Sequence, residues 1–142
     1  MENINVQDSK GRVFCRLSFS PSEDLLRVQW TGPVSDAVSV KQACNEVVRM
    51  VSQTQCGKLL SDSRYQEGAW PPIQDWLNSI WLSTLRYMGV RHFAYLHTPH
   101  QIEPCAYPAS LPMEDDIAIR HFSDQYEAEQ WLNATRSHVL SA

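Results

Sequence analysis

Residues 59–72 read LLSDSRYQEGAWPP, and how this stretch divides decides the fold. Between Gly57 and the polar residues beyond it, KLLSD is too short and too apolar for a helix, which predicts a buried strand. Asp62, Ser63, Arg64 and Tyr65 then read as the exit into a polar loop that closes at Trp70. Pro71 and Pro72 start a helix, because a proline in a first turn lacks only an amide that has no partner there anyway. Strand, loop, helix is the unit of an open α/β sheet, which holds its ligands beyond the carboxyl ends of its strands. Asp62, Ser63, Arg64, Tyr65 and Trp70 are therefore candidate ligand or partner contacts.

Working outward, two strands precede this unit. RVFCRLSF alternates Val13, Cys15, Leu17 and Phe19 with other residues, and LLRVQW does the same with Leu26, Val28 and Trp30. SPSED between them supplies a turn, so the pair reads as a hairpin, ended by TGP. Ser35 or Asp36 can cap a helix running to about Thr54, with Ala37, Val40, Cys44, Val47 and Val51 on its apolar face and Gly57 as its stop. The helix opened by Pro71 and Pro72 runs to about Met88. Its buried stripe is Ile73, Trp76, Leu77, Ile80, Leu85 and Met88, with Trp81 widening it and Gly89 closing the helix. VRHFAYLH and DIAIRHF read as strands on either side of a proline-rich connection at 99–112. Ser123 or Asp124 caps a last helix holding Ala128, Trp131 and Leu132. The expectation is one α/β domain over 1–142, with a mixed five-stranded sheet, an N-terminal hairpin and three or more helices.

The bulk numbers narrow the function. A chain of 142 residues can bury a core without disulfides or metal. Hydrophobic residues make up 43% and charged residues 20%, which is globular rather than disordered. The net charge of -4 and the mere three lysines argue against nucleic acid and anionic membrane surfaces. No apolar run is long enough to span a bilayer, and the polar start MENINVQDSKGR is unlike a signal peptide, which predicts a cytoplasmic protein. Cys15, Cys44, Cys56 and Cys105 form no CxxC pair, in keeping with free thiols.

The segments LLRVQWTGPVSDAVSV, KLLSDSR, WPPIQDWL, VRHFAYLH and HFSDQYEAEQWL, covering roughly residues 12–133, together resemble the SpoIIAA-like (STAS/SEC14-type) domains, which include the anti-sigma-factor antagonists. The resemblance implies a non-enzymatic regulatory or protein-interaction module without cofactor. In the antagonists a serine or threonine after the central strand is phosphorylated to block partner binding. Asp62-Ser63-Arg64 stands nearest that position, without the Ser-Gly that follows in those proteins. Other members of the group are linked to small lipid or hydrophobic ligands, so a small apolar ligand between residues 63–70 and the 99–112 connection is the second expectation.

Each candidate has a plainer reading beside it. Asp62 and Ser63 could serve only to bond turn amides. Trp70 and Trp81, left over once the helical stripe is filled, predict an interaction surface, most simply a homodimer. His97, His100 and Cys105 share one connection and are all zinc-ligating types, but a fourth ligand is missing. His92 and His121 read as outward strand positions. Glu114, Asp115 and Asp116 read as a solvated run, and an enzyme built on His97, His100 and Glu114 is the weakest expectation. Phosphate-loop, GxSxG and HExxH patterns are absent.

Overall fold

Six strands, one more than the sequence predicts, form a single mixed sheet in the computed structural model, which describes residues 3–34, 36–100 and 117–135. The added strand is β1 (Asn3–Gln7), in the amino-terminal stretch read above only as polar. It is followed by β2 (Val13–Ser20), β3 (Leu25–Pro33), α1 (Ala37–Thr54) and β4 (Lys58–Glu67). Then come α2 (Gln74–Trp76), a π-helical turn (Leu77–Trp81), α3 (Leu82–Tyr87), β5 (His92–Leu96), β6 (Ala118–Phe122) and α4 (Gln125–Ala134). The strands lie side by side in chain order, antiparallel from β1 to β3 and parallel from β3 to β6.

The stretch at 59–72 divides differently from its sequence reading. Strand β4 continues through Asp62, Ser63 and Arg64 to Glu67, paired with β3 as far as Pro33. Between the pairs Gln29↔Asp62 and Thr31↔Tyr65, β4 contributes one more residue than β3, so the polar triplet is a bulge inside the strand rather than its end. The helix then starts at Gln74, with Ile73 rather than a proline at its boundary. A second bulge, between β1 and β2, leaves Phe14 unpaired, and Phe14 and Cys15 are both buried where strict alternation predicts Cys15 alone.

Helix α1 begins as expected. The Asp36 carboxylate accepts from the Ser39 amide at 2.7 Å and from its hydroxyl at 3.0 Å. It ends on Gln55, whose left-handed φ of 56° closes the last turn, and not on Gly57. The helical face of the sheet carries the larger core, in which Leu26, Val28, Leu59 and Phe93 meet Val40, Cys44, Val47 and Leu85. The π-helical turn rotates the second stripe, so Leu77, Trp81, Leu82 and Leu85 are buried while Ile80 is 54% exposed. On the opposite face, Ala128 and Leu132 of α4 cover Leu25, Leu60, Ala94 and Leu96. Burying one such leucine is worth about 1.5–3 kcal/mol. Lys58, buried beneath this helix, donates to the Leu132 carbonyl at 3.2 Å and so satisfies an acceptor at its carboxyl end. No helix of the described residues is long and apolar enough to cross a membrane.

Candidate functional site

The register explains why one half of the second sheet face stays open. Asn5, Arg16, Gln29, Asp62, Leu96 and Phe122 lie in one row across β1 to β6. Asn3, Ser18, Arg27, Leu60 and Ala94 lie in the next. Side chains two apart on a strand share a face, so both rows look the same way. Under α4 the rows carry Leu60, Ala94, Leu96 and Phe122, with Arg120 at the β6 edge over Trp131, and from β1 to β3 they are polar. Of the described elements, α4 reaches the rim of that polar half through Gln125 and Glu129.

A groove of about 560 Å³ occupies it, walled by Asp62, Arg64 and Tyr65 of the β4 bulge and by Gln125 at the start of α4. Three arginines and one aspartate line the groove, and the carboxylates of Glu23 and Glu129 reach Arg27 at its rim. The β4 bulge is what brings Arg64 and Tyr65 to the same rim.

Two of the arginines are held by carboxylates. Arg64 forks onto Asp62 at 3.0 and 2.9 Å and donates to Gln125 Oε1 at 2.9 Å. The hydrogen bonds to Asp62 raise its guanidinium pKa further. Gln125 in turn donates to Glu129 at 2.8 Å. Arg27 bonds Glu23 at 3.2 and 3.3 Å and approaches Glu129 at 3.4 Å. Arg27 thereby lowers the Glu23 carboxyl below its ordinary value. Arg16 is exposed, and it forms no ion pair with any described residue.

The residues singled out from sequence scatter over the fold. Asp62, Arg64 and Tyr65 do reach the groove. Ser63 points the other way and is 1% exposed, so no kinase reaches its hydroxyl in the folded chain. Trp70 sets its ring edge-on against Trp30 at 5.1 Å, and Trp30 donates its indole N–H to Ser61 Oγ at 3.0 Å. Trp81 is core, 5% exposed, with its indole N–H on the Cys44 carbonyl at 3.0 Å. Trp76, expected in the core, is only partly buried and lies under Lys41 Nζ, 5.3 Å from the ring centre.

The histidines also move. His121 is not simply outward: it stacks on Tyr95 at 5.2 Å and bonds His97, Nδ1 to Nε2, at 3.1 Å. His97 Nδ1 lies 2.9 Å from the Thr98 carbonyl, which only accepts, so Nδ1 carries the hydrogen. In the neutral ring Nε2 then accepts from His121. His92 is part-buried against Trp131 at 5.6 Å, and burial, then Lys58, lowers its pKa. His100 sits exposed in a turn. Cys105, Glu114, Asp115, Asp116, the alternative cap Ser35 and most of the 99–112 connection lie outside the described residues. Among those described, no three His, Cys, Asp or Glu gather to hold a metal. Cys15, Cys44 and Cys56 are buried free thiols. Burial pushes Cys15 well above its ordinary pKa and Cys56 to about 11.

Arg16, Arg27 and Gln29 went unnoticed in the sequence because they are merely the polar members of alternating strands. The signal that finds them is Asn-Ile-Asn-Val at 3–6, whose own alternation adds a strand beside β2 and turns isolated polar positions into rows. No protein-family model, curated protein or solved structure matches the chain.

Proposed function

We propose that this chain is a non-enzymatic regulatory module of the SpoIIAA-like kind, which binds a protein partner on the uncovered half of its sheet. One observation carries the reading: a polar, arginine-lined groove on a sheet face that the described helices leave open, in which Arg16 has no ion pair with a described residue. A groove of about 560 Å³ falls within the usual range of roughly 300–1,000 Å³ for binding clefts. Its arginine without an ion pair, Arg16, selects partners by complementarity. The mixed sheet, with helices following β3 and β4, agrees with the resemblance noted above.

The polar lining favours a protein surface over a small apolar ligand. The phosphoserine switch forms no part of the proposal, because Ser63 is buried in β4. Nor does a homodimer through this face. Two-fold pairing would set like patches together, and the carboxylates at each patch already hold that patch's own Arg27 and Arg64.

Photo-crosslinking in an extract of the native cell tests the reading. A benzophenone side chain replaces Ser18 in the groove or, as control, the exposed Gln42 on α1. The expected result is one discrete protein adduct from position 18 and none from position 42. Adducts from position 42 alone, or from neither position, contradict it.

A further inference from the structure

We infer that the partner anchors on this face through a carboxylate, an Asp or Glu side chain seated on Arg16. This rests on the proposed function for the partner being a protein, and adds the chemistry of its anchor. Three arginines line the groove, but Arg27 is engaged by Glu23 and Glu129, and Arg64 by Asp62 and Gln125. Arg16 forms no ion pair with a described residue, which leaves its planar fork of donors for a ligand.

The surroundings of Arg16 suit an incoming anion. Its cross-strand neighbours are Asn5 and Gln29, neutral amides whose NH₂ groups can donate. The nearest carboxylate in its row, Asp62, lies two strands away, about 9–10 Å at ordinary strand spacing. Asp62 is itself occupied by Arg64.

The same arrangement selects a carboxylate over a phosphate. A phosphoryl group carries close to two negative charges and recruits clustered basic side chains. Here one arginine is available, and Asp62 within the same groove opposes a second negative charge. A single carboxylate takes the bidentate arginine fork without needing a second cation.

The test uses an acetylated, amidated octapeptide alternating Glu and Thr, fluorescently labelled and titrated with the full chain at low ionic strength. Arg16→Gln is expected to weaken binding at least 10-fold with an unchanged melting temperature. Arg16→Lys, which keeps the charge and loses the fork, should fall between. A probe with Gln for every Glu should bind weakly and ignore both variants. Equal binding of the Glu probe to wild type and Arg16→Gln overturns the inference. So does a phosphoserine-for-Glu probe that binds 10-fold or more tighter through Arg16. If position 18 crosslinks a partner while the probe ignores Arg16, the carboxylate anchor fails and the binding face stands. If the probe needs Arg16 but no protein crosslinks from position 18, the interaction-module reading fails and the anion seat stands.

Discussion

Arg64 of β4 and Gln125 of α4 meet at 2.9 Å, Nη2 to Oε1, across 61 residues of chain. Because Arg64 is fixed by Asp62, this contact pins the first turn of α4 to the rim of the groove. The helix is also held by a small core of Ala128 and Leu132 on Leu25, Leu60, Ala94 and Leu96, by Lys58 on the Leu132 carbonyl and by Arg27 beside Glu129. Arg64→Met should therefore cost about 1 kcal/mol, the scale of a partly exposed charged bond. Amide hydrogen exchange should quicken in α4 and leave α1 unchanged. Unchanged exchange in α4 would show that its other contacts hold it without Arg64.

Ser63 offers a sharper contrast. An exposed regulatory serine accepts Ser63→Asp with its fold intact. A serine 1% exposed inside β4 does not, because a carboxylate there is stripped of its hydration. The expected loss is about 3 kcal/mol or more, read from denaturant unfolding, or outright failure to fold. A stable Ser63→Asp protein would contradict the strand placement.

Trp81 fills the core at the π-helical turn, its ring 5.8 Å from Phe93 and its N–H on the Cys44 carbonyl. Trp81→Ala should cost about 3–5 kcal/mol. Trp81→Phe should cost less, through lost volume and the loss of the indole donor to the Cys44 carbonyl. If Trp81 instead faced a partner, both variants would melt like wild type.

His92 sets a pH dependence. Burial, then Lys58, lowers its pKa from the ordinary 6.5, so the folded state resists protonating the ring. Its contribution to stability is fully present above that value and is lost as pH falls towards the lowered one. The melting temperature should drop between pH 7 and pH 5, and His92→Gln should flatten part of that drop. An equally steep fall in the variant would assign the effect elsewhere.

Elements backed by strong periodicity or a cap were legible in the sequence. Val40, Cys44, Val47 and Val51 lie on the buried face of α1 as their spacing requires, and Asp36 caps it. Local signals misled where tertiary pairing overrode them. Asp62-Ser63-Arg64 looks like a strand exit because its residues are polar, yet a bulge keeps β4 paired and turns those side chains to two faces. The stripe of the second helix was counted with an uninterrupted α-helical period. The π-helical turn changes its phase, which buries Trp81 and exposes Ile80. The site was half visible. Asp62, Arg64 and Tyr65 were named from one strand, whereas Arg16 and Gln29 acquire meaning only when the register sets them in one row with Asp62.

Amide chemical-shift mapping on the ¹⁵N-labelled chain, titrated with the Glu-Thr octapeptide, tests the central claim most directly. The account predicts shifts concentrated at Asn5, Arg16, Ser18, Gln29 and Arg64, lost in Arg16→Gln, with Val38, Gln42 and Asn45 on the exposed side of α1 unmoved. Shifts centred on α1, or a sheet face that stays silent while the peptide binds, would contradict it.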